Sequence, residues 1–221
     1  FFAQQGLTVT DRSTIALSGT RAEVAGGGFY AGLASLTDSE MIIKDATAGG
    51  DGGAFTLMLG LTLKNASLVV RNSTAMGSAA LVHGPLMVSS CSRVVLQHTK
   101  CGENSSVLAA SCLQLDPQAA VLLEDVAGGH GLHLDNDACS SDCSNGTFQV
   151  DSGAALNASG RLSFGLGLLF MQTCESETVR LSGIHLDSWS GPLLSTSPSR
   201  VVIDDVTIDY KPPFSNLEIV A

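Results

Sequence analysis

Short apolar strands recur along this chain at a nearly fixed interval. Leu68-Val69-Val70 is followed by the polar pair Arg71-Asn72. The same form stands one interval earlier at Met41-Ile42-Ile43 before Lys44-Asp45, and one interval later at Val94-Val95-Leu96 before Gln97-His98. It begins at Ile15-Ala16-Leu17 and returns at Val121-Leu122-Leu123, Phe148-Gln149-Val150, Val179-Arg180-Leu181 and Val201-Val202-Ile203. The interval is roughly 26 residues, within the range of solenoid repeats. Each interval holds two further strands. One is Gly-led: Gly27-Gly28-Phe29, Gly52-Gly53-Ala54-Phe55, Ser78-Ala79-Ala80-Leu81, Ser106-Val107-Leu108 and Gly131-Leu132. The other carries apolar residues two apart: Leu7/Val9, Leu61/Leu63, Leu86/Val88 and Leu113/Leu115. A spacing of two is that of a strand with one buried face.

Three short strands per interval, with no helical periodicity between them, predict an all-β, right-handed parallel β-helix (a solenoid) of about eight coils. Right-handed winding is the default for parallel crossovers. The residue four places after each strand start is polar or Gly: Gly19, Asp45, Asn72, His98, Asp125, Ser152, Gly183 and Asp205. Asp and Asn turn the chain by bonding their own backbone, and Gly by accepting positive φ, so this position reads as a corner. The regularity loosens after residue 130, where an insertion is expected at 133–147 and a long irregular coil follows.

Alternation also predicts a row on the outside. With the first and third residues of each strand facing in, Ile42, Val69, Val95 and Leu122 face out, preceded by Ala16 and followed by Gln149 and Arg180. Four large aliphatics on neighbouring strands form a contiguous patch, and such patches mark contacts. The expected partner is another protein subunit or a further part of the same chain.

Composition agrees with thin β layers. Apolar residues make up 44% but aromatics only 5%, and there are 24 Gly, so the core is built from small and branched side chains. Its 221 residues suit a single domain, 1–221, which the strand-like Leu217–Ala221 end and the Phe1-Phe2 start suggest is part of a longer chain. A net charge of −10 provides no basic footprint for nucleic acid, so no nucleic-acid partner is expected. With no apolar run of about 18 residues, no membrane span is expected either.

Five asparagines stand in N-glycosylation sequons: Asn65, Asn72, Asn104, Asn145 and Asn157. Asn65 and Asn145 are expected to be exposed and glycosylated, Asn104 and Asn157 to lie in looser segments, and Asn72 to be partly buried. Together with six cysteines they predict a secreted or extracellular, cell-surface glycoprotein carrying N-linked glycans. No Cys-x-x-Cys pair occurs, which excludes zinc-ribbon and thioredoxin patterns. Equivalent positions on adjacent coils pair Cys112 with Cys139 and Cys143 with Cys174, leaving Cys91 with Cys101; a local Cys139–Cys143 bond is the competing pairing.

Signals for chemistry are sparse. His130, His133, Asp135, Asp137 and Asp142 are metal-ligating types, but an acidic loop held by disulfides explains them, so no metal and no cofactor is expected. Asp204, Asp205 and Asp209 read as strand exterior and turn, and Arg93, Arg180 and Arg200 do not share a repeat position. Only Trp189, Tyr30 and Tyr210 offer rings with polar edges for sugar stacking. The expectation is therefore no enzyme but a structural or adhesive solenoid, a module of a larger surface or filament assembly. The alternative is a polysaccharide-binding or polysaccharide-cleaving β-helix.

The Gly-Gly-Gly-Phe at residues 26–29 and Gly-Gly-Ala-Phe at 52–55 resemble the repeats of the chlamydial polymorphic outer-membrane protein family. The resemblance covers residues 20–110. It implies a pectin-lyase-like right-handed β-helix used in adhesion. It carries over no catalytic residue, and that family's second motif, Phe-x-x-Asn, is not evident.

Overall fold

The computed structural model describes residues 2–135, 148–150, 154–172, 178–181, 184–189, 192–196, 200–203, 206–210 and 218–220. Every element among them is a β-strand, and every strand pairing is parallel. The strands stack coil on coil into a β-solenoid. One flat face is an eight-stranded sheet in chain order: Thr14–Ser18, Glu40–Lys44, Ser67–Arg71, Arg93–Gln97, Ala120–Glu124, Ala155–Ser159, Ile184–Trp189 and Val206–Tyr210. The other two strands of each coil merge into a twelve-stranded sheet, because Phe29–Thr37 and Phe55–Lys64 run through both positions with a bulge between.

The repeat read from the sequence places the first five coils in register. Ile15, Met41, Leu68, Val94 and Val121 are mutual partners through successive pairings. The strand with apolar residues two apart also stacks as expected: Leu7, Ala34, Leu61, Leu86 and Leu113 form one column, and Val9, Leu36, Leu63, Val88 and Leu115 the next. In the Gly-led column Phe29 meets Phe55, but Phe55 then meets Ala80 and not Leu81.

Beyond Val121 the register departs from the expectation. Its partner is Leu156, not Phe148, and Ile184 and Val206 follow. Phe148–Val150 instead pairs with Cys112–Leu115. Val179 pairs with Val201, so those two starts do belong to one column, but not to the column of Val121. The signature of one apolar residue, any residue and another apolar residue is common to all buried-face strands and does not say which face is meant. The strand Ala127–Asp135 takes in the first three residues of the span read as an insertion, 133–147; residues 136–147 lie outside the described residues.

Corners explain how the coils stay in phase. Gly19, Asp45, Asn72, His98, Asp125 and Gly160 all adopt positive φ, so the turn reading holds at these positions. Ser152, Gly183 and Asp205 lie outside the described residues, and Gly160 takes the place expected for Ser152. A second left-handed column, Arg12, Asp38, Asn65, Cys91 and Gln118, precedes the first five flat-face strands. Each of these strands is thus bracketed by two sharp bends. Backbone bonds continue through them: Ser67 donates its N–H to the Ser39 carbonyl at 3.0 Å, and Arg93 to the Ala66 carbonyl at 3.0 Å.

The core is a thin stack of aliphatic columns. Met41, Ile43, Leu61, Leu63, Leu68, Leu86 and Leu96 have no more than a trace of exposure, and Phe29 and Phe55 stack at 5.4 Å between ring centres. Gly28 is required here by close approach. A Cβ on it would overlap the Ala54 carbonyl oxygen and lie 2.8 Å from Ile43 Cγ2.

Candidate functional site: the outer face of the eight-stranded sheet

The strands of the flat face present three outward columns. The central one runs Ala16, Ile42, Val69, Val95, Leu122 and then Asn157. Asn157 therefore replaces the expected Gln149 as the sixth residue of the row. Arg180 also leaves this row, since it belongs to the strand that pairs with Val202. Ile42 and Leu122 are half-buried, whereas Val69 and Val95 are only 6% and 7% exposed. The expected broad patch is thus narrower: its two middle residues already lie among their cross-strand neighbours.

The flanking columns are polar. On one side stand Glu40, Ser67, Arg93 and Ala120, on the other Lys44, Arg71, Gln97 and Glu124. Arg93 Nε donates to Ser67 Oγ at 3.1 Å, and Arg71 Nε to Gln97 Oε1 at 2.7 Å, while Gln97 Nε2 donates to Glu124 Oε2. Lys44 and Arg71 are like charges on adjacent strands, an arrangement that costs stability unless anions lie near.

The sequons fall on three kinds of site. Asn65 and Asn72 are exposed corner residues with positive φ. Asn72 is thus exposed, contrary to expectation, since a corner turns its side chain away from the core. Asn65 Nδ2 donates to Asp38 Oδ1 at 2.6 Å, and Asn72 Nδ2 to Asp45 Oδ1 at 3.2 Å, each reaching one coil back. Asn104 is exposed in a turn. Asn157 is half-buried on a strand, not in a loose segment. Asn145 lies outside the described residues.

Cys91 and Cys101 are free thiols, which corrects the expected pairing between them. They stand at opposite ends of the Arg93–Gln97 strand, about 17 Å apart along a five-residue strand, far beyond disulfide reach. Cys91 Sγ donates to Gln118 Oε1 at 3.3 Å, and Cys101 Sγ to the Ser105 carbonyl at 3.4 Å. Burial pushes the Cys101 thiol up to about 11, opposed by a smaller backbone contribution from Gly129. Cys112 is buried on the Cys112–Leu115 strand, and its expected pairing falls on residues outside the described ones. Cys139, Cys143 and Cys174 all lie there; Val121 and Phe148 stand in different columns, which removes the equivalence behind Cys112–Cys139, while the Phe148–Val150 and Thr178–Leu181 strands remain neighbours.

Of the metal-ligating types, His130 is buried, His133 half-buried and Asp135 exposed. Asp137 and Asp142 lie outside the described residues. The two imidazoles meet edge to face at 6.1 Å. Burial, then the charge of His133, lowers His130 to about 4; burial also lowers His133, partly offset by Asp135. Among the described residues no three His, Cys, Asp or Glu side chains converge as a metal set. A depression of about 300 Å³ gathers Asp51, His83, Ser111, His133 and Asp135. Asp204 and Asp205 lie outside the described residues, and Asp209 pairs in register with Asp187. Arg93 sits on the flat face, while Arg180 and Arg200 sit on strands of a different sheet.

Sequence reasoning missed the second corner column and the charged columns flanking the aliphatic row. Both were readable once the strand starts were known, since Asp38, Asn65, Cys91 and Gln118 each stand at the same offset before them. Compared with protein-family models, curated proteins and solved structures, the chain matches none. Among the described residues no helix is long and apolar enough to cross a membrane.

Proposed function

We propose that this chain is a structural or adhesive module of an extracellular assembly, a secreted glycoprotein at a cell surface or in a filament, and not an enzyme. The observation that carries this is the flat outer face: an aliphatic row in register on parallel strands, bordered by charged columns. That is the make-up of a contact surface, with an apolar middle and a polar rim. Exposed sequon asparagines at Asn65, Asn72 and Asn104 support passage through the secretory route. Sugar attachment leaves one hydrogen on Nδ2, enough for Asn65 and Asn72 to keep their bonds to Asp38 and Asp45. The Gly-Gly-Ala-Phe likeness to an adhesive β-helix family supports the same reading. Its partners are other subunits or further parts of the same chain.

The experiment is secretion from eukaryotic cells followed by intact glycopeptide mass spectrometry. Sugars at Asn65 and Asn104 are expected; a secreted chain bare at both rejects the glycoprotein reading.

The depression at His133 favours a second reading, polysaccharide binding, since imidazoles, a hydroxyl and carboxylates are the groups that hold sugar hydroxyls. Under it, His133→Ala abolishes retention on an acidic-polysaccharide column. Under the first reading no such retention exists to abolish.

A further inference from the structure

We propose that the flat face is closed by a second copy of this chain, laid face to face about a two-fold axis that runs along the stack over the Ile42–Val69–Val95–Leu122 row. The inference rests on the reading of this face as a contact surface and names what covers it.

The argument is one of symmetry and charge. A two-fold axis along the stack sets each coil opposite the same coil of the partner and exchanges the two ends of every strand. The central row then meets itself: Ile42, Val69, Val95 and Leu122 each face their own equivalents. The column of Glu40, Ser67, Arg93 and Ala120 meets the partner's column of Lys44, Arg71, Gln97 and Glu124. Taken coil by coil, Glu40 opposes a lysine, Ser67 an arginine, Arg93 a glutamine and Ala120 a glutamate. In these four coils no like charges oppose one another, and each contact occurs twice, as an isologous interface requires. Glu40 also supplies the anion that the adjacent cations Lys44 and Arg71 call for.

Size sets the strength. Five-residue strands are about 17 Å long, and the five from Thr14–Ser18 to Ala120–Glu124 at about 4.8 Å spacing give a footprint of roughly 400 Å² per copy. Roughly 800 Å² for the two copies together lies at the small, transient end of interface sizes, so the dimer is weak and reversible. Because Val69 and Val95 are nearly covered already, the charged columns decide the pairing and the aliphatic row supplies shape. Asn157 ends the row, so the test is run on Asn157→Gln protein, which bears no glycan there.

Sedimentation velocity across a concentration series is the measurement, with circular dichroism confirming that each variant is folded. A monomer–dimer equilibrium is expected. Glu40→Lys and Lys44→Glu should each weaken it about tenfold, by setting like charges opposite each other twice per dimer. The double variant should restore it to within about threefold, because the exchanged charges meet again. A two-fold axis across the strands would instead bring residue 44 against Glu124, and the double variant would stay weak. A chain that is monomeric at hundreds of micromolar, unaffected by the single changes, or not restored by the double change overturns the proposal. A secreted, glycosylated chain that never dimerises would remove this inference alone. A chain that dimerises but is never exported would remove the extracellular reading alone.

Discussion

At the scale of single residues, the corners hold the most specific chemistry. The left-handed positions pair in twos across adjacent coils: Asp38 with Asn65, Asp45 with Asn72, Cys91 with Gln118, His98 with Asp125 at 3.4 Å. An acceptor is matched by a donor each time, so carboxylates do not stack on carboxylates. Asn72→Asp would put two carboxylates one strand spacing apart. We expect a loss of roughly 1 kcal/mol at neutral pH, recovered in acid once the pair takes up a proton. Urea titration at both pH values checks this, and an equal loss at both would show that the bond, not the charge, matters. Asn72→Gly should cost less than Asn72→Val, since only the branched residue resists positive φ. The buried histidines give a second pH dependence. His130 is held near 4 in the folded chain against about 6.5 when unfolded, so the unfolded state takes up the proton first. Stability is therefore complete above about pH 6.5 and falls as pH drops toward 4. His133 acts in the same direction. His130→Gln should flatten that slope; an unchanged slope would show that other groups carry it.

At the scale of strands, each coil depends on filled columns and on tight glycine contacts. Phe55→Ala removes one ring of a stacked pair in a fully buried column and should cost about 3–5 kcal/mol by thermal or chemical unfolding. Gly28→Ala should also destabilise, although it adds a single methyl, because the neighbouring coil's carbonyl occupies that space. Replacing Val69 and Val95 together with Lys should leave the coils folded but weaken self-association. Strand spacing was legible from the sequence through Val121, where branched and aliphatic residues recur beside a polar corner. It failed at Phe148 because that strand shows the same alternation on a different face. The true continuation, Ala155-Leu156-Asn157-Ala158, was hidden by small residues and an asparagine, which carry little strand signal. Gly160 was the missing clue, since it repeats the left-handed corner four residues after Leu156. The aliphatic row was legible as far as Leu122 for the same reason. Its near-burial at Val69 and Val95 was not, because cover by cross-strand neighbours depends on rotamers and flanking side chains.

At the scale of the whole molecule, a glycan and a partner compete for one surface. Asn157 lies in the central row, directly beside Leu122. Protein carrying a sugar at Asn157 should be monomeric at concentrations where Asn157→Gln protein dimerises. Sedimentation of the two forms side by side tests this, and equal dimerisation would place the interface away from that end of the row.

Stacking one coil on the next in constant register has a consequence for heredity. Every coil presents to its neighbours the same columns that it receives, so a whole period is an interchangeable unit, while a fraction of one is not. Excising residues 68–93 joins Ser67 to Val94 without changing which side chains face inward, and should yield a shorter folded rod. Deleting Val69 alone removes far less chain but turns the rest of its strand inside out. Across descent, such a protein can lengthen or shorten by complete turns far more readily than by single codons.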